Sequence, residues 1–358
     1  MNKNTTPLTN NESNLKRPFF LRIPKVVYRL VRFLATLVIF WLALRYLIPQ
    51  ISSLKETWDG LKSMRYWAVV VAFLGQVVFY SGSGLVLKKI MRLTNHHISI
   101  LRGALIALAG YSIGLVAGGM FGTAALTFRW MKNSGGRTDG ATLAAFLPPV
   151  LLDIALIGVS FFGLIYLLLI HNLSQFQAIA FIIILFIILC LVVLMILAAH
   201  NRDVAIELVT NSLQKMYLRL QIPFPHVKYE KTLHSIFTAY DVLISGKWKG
   251  LFFGTGLIIL GDLITIFFLF IAVNNMVTPG VLLAGYGLPL LFSKMAFFIP
   301  GGIGLIEATM TALYVSLGVP EPIAVVVILG YRFFTFWIPV IVGFILFPFL
   351  QNSVKKES

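Results

Sequence analysis

Six ionisable residues stand inside or beside long apolar runs: Arg45, Asp153, Asp262, Lys294, Glu307 and Arg332. A charge at the centre of a bilayer costs about 2.5–3.5 kcal/mol on insertion scales. Arg45 lies near the end of its run, where a long side chain can reach the headgroups. The other five would together cost roughly 12–18 kcal/mol if each faced lipid. They must therefore pair, become neutral or line a wet cavity. Two roles are open to such a set. One is a polar site for a lipid headgroup or a coupling proton; the other is structural ion pairing that locks helices together. Glu307 closely follows Pro300, Gly301, Gly302 and Gly304. Amides freed by that break, and the start of a helix, can hold an anion or a headgroup there. Arg332 lies well inside the last apolar run, and Asp153 well inside the run after an earlier glycine-rich stretch that includes Gly118, Gly119 and Gly122. Arg129, just past that stretch, reads either as a headgroup contact or as an ordinary loop charge.

Other chemistries find no support. No phosphate-binding loop, Ser/His/Asp grouping or paired-carboxylate motif stands out. The six histidines are scattered, and the one cysteine, Cys190, lies inside an apolar run. No Cys/His metal spacing is present, so neither a metal nor another cofactor is expected. Nothing in the pattern points to an enzyme. The net charge of +16 would suggest nucleic acid in a soluble protein, but here the basic residues sit between apolar runs. They read as loop charges on the cytoplasmic side, in contact with anionic phospholipid headgroups, and no nucleic-acid partner is expected.

The elements that must position these charges are membrane helices. The chain has 358 residues, of which 58% are hydrophobic and 12% charged, far too apolar for a water-soluble domain. Apolar segments run near residues 31–49, 66–87, 104–128, 141–170, 176–199, 249–273, 281–299, 303–319 and 322–349. All read as helices, because lipid admits only helices or closed barrels, and the segments are too long and uniformly apolar for barrel strands. The first is read as a retained helix, not a cleaved signal peptide. The predicted fold is an all-α polytopic bundle of about eight transmembrane segments, some broken or re-entrant at glycine.

Loop charge sets the expected orientation. Residues 1–32 hold seven basic residues and one acidic, and 200–249 hold seven basic and four acidic. Lys88, Lys89, Arg92 and Arg102 mark another basic loop, whereas 171–177 and 274–280 carry no Lys, Arg, Asp or Glu. The termini are therefore expected in the cytoplasm, in a plasma or inner membrane. A full crossing by 104–128 would put Arg129, Lys132 and Arg137 outside and invert every later loop. Glycine permits a sharp reversal, so this stretch is predicted to be a hairpin that enters and leaves on the cytoplasmic side. A second break is expected at Pro300–Gly304. The chain then divides into a basic tail at 1–30, a membrane domain at 31–350 and a short cytoplasmic tail at 351–358. Within the membrane domain, halves 31–170 and 176–349 repeat the same helix order from opposite sides. An amphipathic cytoplasmic segment spans 200–247. Such inverted repeats place a binding site between the halves.

Three stretches carry a family resemblance: Ile299–Ala308 (IPGGIGLIEA), Leu317–Pro320 (LGVP) and Gly330–Pro339 (GYRFFTFWIP). With the Gly118–Gly122 region, Arg129 and Asp153, they resemble the transmembrane domain of lysylphosphatidylglycerol synthases, over roughly residues 25–350. Many members carry a Gly-Glu pair in the first motif; here Gly122 is followed by Thr123. The resemblance implies movement of lipid between leaflets, and a stand-alone member without the soluble lysine-transferring domain. Membrane lipids are then the expected partners. A membrane partner that presents lipid to a separate synthase or glycosyltransferase, an intramembrane lipid-modifying enzyme and a homo-oligomer stay open as alternatives.

Overall fold

The computed structural model describes residues 64–170, 173–219, 249–295 and 302–352. The expected first helix at 31–49, the tails, residues 220–248 and the break residues Pro300 and Gly301 lie outside the described residues. Every regular element within them is helical: α1 (Tyr66–Leu93), α2 (Ile100–Asn133), α3 (Thr138–Ile170), α4 (Gln175–His200), α5 (Arg202–Arg219), α6 (Lys249–Ala272), α7 (Pro279–Met295), α8 (Leu305–Ser316), α9 (Glu321–Arg332) and α10 (Ile338–Asn352). A five-residue π-helical turn, Phe333–Trp337, joins α9 to α10. Among the described residues, four stretches are long and apolar enough to cross a bilayer: α1, α3, α6 and the continuous run Glu321–Leu346. The protein is an all-α membrane helix bundle.

The centre of the bundle is the antiparallel pair α1 and α6. Small residues let their backbones approach: a Cβ at Gly75 would lie 2.7 Å from the Gly261 carbonyl oxygen, and one at Gly82 2.7 Å from the Gly254 oxygen. In lipid, apolar burial gives helices little reason to associate, so close packing of small residues takes over that role.

α2 departs from a straight helix. Its 34 residues are helical throughout and would span about 51 Å if straight. Yet His96 Nε2, four residues before its start, lies 2.6 Å from the carbonyl oxygen of Ser134, just past its end. A Cβ at Gly110 would lie 3.0 Å from Thr127 Oγ1. The helix therefore folds back between residues 110 and 127, with Gly118 and Gly119 midway. The predicted reversal is present. The predicted break in the backbone is not, because helical turns continue through the bend. α7 and α8, two separate helices, pack against each other as a second hairpin. Tyr314 OH donates to the Leu282 carbonyl at 3.2 Å, and a Cβ at Gly285 would lie 2.4 Å from the Tyr314 ring.

The two halves exchange partners. α3, from the first half, packs on the second hairpin, where a Cβ at Gly163 would meet the Ala284 amide at 2.6 Å. α10, from the second half, packs on the first hairpin, where a Cβ at Gly343 would meet Ser112 Cβ at 2.7 Å. The hairpin geometry also gathers Lys88, Lys89, Arg92, Arg102, Lys132, Arg137 and Lys249 at one end of the bundle, tied by the His96–Ser134 contact and by Lys89 lying against Gly250. At the opposite end Arg65 N–H donates to the Ala272 carbonyl, and the Gln177 side-chain amide donates to the Ser316 carbonyl.

The reversal of α2 has a direct check. With Cys190 replaced by Ala, Arg102→Cys and Lys132→Cys should react with a membrane-impermeant maleimide from the same side of sealed vesicles. Reaction from opposite sides would mean that α2 crosses once.

Candidate functional site

The second hairpin is clamped by charge on both arms. On α8, Glu307 occupies the first turn. Its Oε2 accepts the Gly304 N–H at 2.7 Å, which closes the helix start from within. Gly304 and Gly302 have φ of 84° and 62°. That left-handed backbone is open to glycine at little cost, and it accounts for these two glycines. Glu307 Oε1 accepts the Arg332 Nε–H at 2.6 Å. The side chains of Arg332 and Glu307 are only 5% and 14% exposed. Arg332 ends α9, and the π-helical turn after it returns Phe336 beneath the guanidinium at 4.7 Å from the ring centroid. Single π-helical turns often mark functional positions in helices. Here the turn places an aromatic face under a buried cation.

On α7, Lys294 Nζ lies 3.1 Å from Asp153 Oδ1 of α3. This pair is looser: both side chains are 43% exposed, and Asp153 Oδ1 makes no hydrogen bond. Four of the five charged residues singled out from the sequence thus form two ion pairs, one sealed and one half-open.

The fifth, Asp262, has no cation among its hydrogen-bond partners and is held by neutral donors. Gln76 of α1 donates to its Oδ1 at 3.1 Å. Tyr286 of α7 and Tyr331 of α9 donate to its Oδ2 at 3.0 and 3.3 Å. Gln76 also reaches Thr265 Oγ1 at 2.9 Å, and the Thr265 hydroxyl bonds back to the Ala72 carbonyl at 3.0 Å. One buried carboxylate thereby joins four helices. Buried polar groups are tolerated when every member is satisfied. Asp262→Ala would strand one N–H of the Gln76 amide and both tyrosine hydroxyls. The expected loss is about 3 kcal/mol or more, at roughly 1–3 kcal/mol per stranded group, read as a lower unfolding temperature in detergent; Tyr286→Phe should cost about 1 kcal/mol.

The remaining sequence candidates separate. Gly118 and Gly119 lie in the bend of α2, and Gly122 is half-buried in its returning arm. Arg129 is exposed on that arm, near the basic end of the bundle. It joins neither ion pair, as a loop-type charge would. Asp153 and Arg332, roughly equivalent in the proposed repeat, fall in separate pairs. Sequence reading missed Gln76, Tyr286 and Tyr331. A signal for the first was present: a lone glutamine in an otherwise apolar span must find a partner.

Comparison with known proteins places the chain among membrane proteins. A stretch of 86 residues is 35% identical to a UPF0104 membrane protein of Pyrococcus horikoshii. That stretch covers 24% of this chain and spans only 25% of the relative's length. Residues 29–343 match the family described as the lysylphosphatidylglycerol synthase TM region. That match takes in both hairpins and both ion pairs, and the chain belongs to this membrane-protein family.

Proposed function

We propose that this protein moves a phospholipid or related lipid between the leaflets of a cell membrane. One observation carries the reading: a hairpin that enters from one end of the bundle and reverses holds a charge pair on each arm near its reversal. α7 runs from Pro279 to Met295, about 25 Å at helical rise, less than the roughly 30 Å of a hydrocarbon core. Its last turn, with Lys294, then lies within the core. Charge and interrupted helix at that depth are features of sites where polar cargo is handled.

The basic end of the bundle faces the cytoplasm in this reading, under the positive-inside rule, with the termini on that side. Anionic phospholipids gather there against Lys88, Lys89, Arg92 and Arg102. The reading includes no bond-making step and no cofactor.

The test is reconstitution into liposomes containing phospholipids labelled on the acyl chain, with dithionite added outside. Translocation would make more than the outer-leaflet half of the label reducible, at a rate well above that of protein-free vesicles. Rates equal to those of protein-free vesicles for phospholipids and glycolipids alike would sink the proposal.

A further inference from the structure

The two charge pairs on the second hairpin differ in a way that bears on the cargo. Glu307–Arg332 is sealed and hydrogen-bonded. Asp153–Lys294 is half-exposed, and Asp153 Oδ1 touches the ammonium without forming a hydrogen bond. Its depth follows from helix length. Asp153 is near the middle of the 33-residue α3, and Lys294 is in the last turn of α7, which starts from the opposite end of the bundle. Above the pair, towards the start of α7, the α3–α7 seam is closed. A Cβ at Gly287 would lie 2.4 Å from Ser160 Oγ, and one at Gly163 2.6 Å from the Ala284 amide. Beyond that closed stretch the two charged side chains are each 43% exposed. Both helices carry proline in the preceding turns, Pro148 and Pro149 in α3 and Pro289 in α7. Each proline removes a ladder hydrogen bond, so the helices can bend there at little further backbone cost.

Resting on the lipid-moving reading above, we propose that the Asp153–Lys294 pair is a headgroup station for a zwitterionic phospholipid, one with a primary ammonium and a phosphate. The ammonium takes Asp153, the phosphate takes Lys294, and the internal pair re-forms when the headgroup leaves. Charge balance selects this class. A purely anionic headgroup would satisfy Lys294 and strand Asp153. A purely cationic one would do the reverse. A stranded charge at this depth weakens binding on the order of 100-fold. A zwitterion exchanges one pair for two and strands nothing. The re-formed pair also keeps the empty station neutral, which favours release.

The experiment uses the full chain in liposomes with acyl-labelled phosphatidylethanolamine or phosphatidylglycerol, so that the headgroup amine stays free. Wild type should move the ethanolamine lipid at least ten times faster than the glycerol lipid. Asp153→Asn and Lys294→Gln should each slow it tenfold or more. The reversed pair, Asp153→Lys with Lys294→Asp, should restore at least a third of the rate. Thermal unfolding of each variant reports its folding. Equal rates for the two lipids, or single variants that fold and transport normally, would overturn the headgroup assignment and leave lipid movement standing. No movement of either lipid or of any other would overturn both. Native mass spectrometry of the detergent-purified protein gives a second readout: preferential retention of the ethanolamine lipid, lost in Asp153→Asn, supports the station, and preferential retention of the glycerol lipid rejects it.

Discussion

Gly261→Leu is expected to prevent recovery of folded, monodisperse protein, a loss of more than about 3 kcal/mol. The reason is what the new side chain would meet. A Cβ at Gly261 would lie 2.5 Å from the Gly75 oxygen and 2.5 Å from the Phe79 amide nitrogen. Both are backbone atoms of the facing helix, so no side chain can rotate away. Inserted methylenes in a packed core ordinarily cost about 1–3 kcal/mol, when neighbours can shift. Here α1 and α6 would have to separate, and the same separation would pull Gln76 from Asp262, next to Gly261. Gly256 supplies the matched control: it is in the same helix, with no atom within 4 Å of its added Cβ. Gly256→Leu should therefore unfold within about 1 kcal/mol of wild type, with improved helix propensity as the main local change. Fluorescence-detected size exclusion and thermal unfolding would read both variants side by side. Gly261→Leu behaving like Gly256→Leu would refute the close α1–α6 contact.

The fold was legible in the sequence where a single physical demand dominated. Long apolar runs announced helices because lipid leaves the backbone no other partner. The observed α3 at Thr138–Ile170 and α6 at Lys249–Ala272 lie within a few residues of the segments read at 141–170 and 249–273. The reversal of α2 was legible from charge, since Arg102 and Lys132 could share a side only if the chain turned back. What charge could not show was the manner of turning. Glycine suggested a broken backbone, but helical turns continue across Gly118 and Gly119.

The site was legible as a set of charges and not as a set of partners. Insertion cost required that Asp153, Asp262, Lys294, Glu307 and Arg332 be compensated. It could not say that Lys294 reaches back across 141 positions of sequence to Asp153, because that contact depends on α3 crossing to the opposite half's hairpin. Asp262 was further from reach. Its compensation comes from an amide and two phenols that carry no charge and stand out little in an apolar run. Tyrosine is common in membrane helices near the interfaces, so Tyr286 and Tyr331 gave no signal until the helices were in place.

Glu307→Gln is expected to destabilise the protein by about 3–5 kcal/mol and to abolish lipid movement, because it breaks a buried ion pair from one side and removes the carboxylate charge set against Arg332. Arg332 would keep Phe336 beneath it but lose the carboxylate 2.6 Å from its Nε. The amide of the variant would still accept from Gly304 N–H, so the α8 start should survive. The informative comparison is the double variant Glu307→Gln with Arg332→Met. Replacing both members of a buried pair with neutral groups of similar volume is often neutral or stabilising. The double variant should therefore recover most of the unfolding temperature lost by Glu307→Gln alone. Lipid movement separates the two roles that composition left open. If the pair is only a clamp on the second hairpin, the double variant regains transport along with stability. If the pair takes part in passing the headgroup, the double variant is stable and silent. The second outcome is the one expected. The clamp joins α8 to the end of α9, beside the π-helical turn where the helix ladder is already irregular, and an element that must only be held has no need of a charge pair that costs more to bury than an apolar contact would.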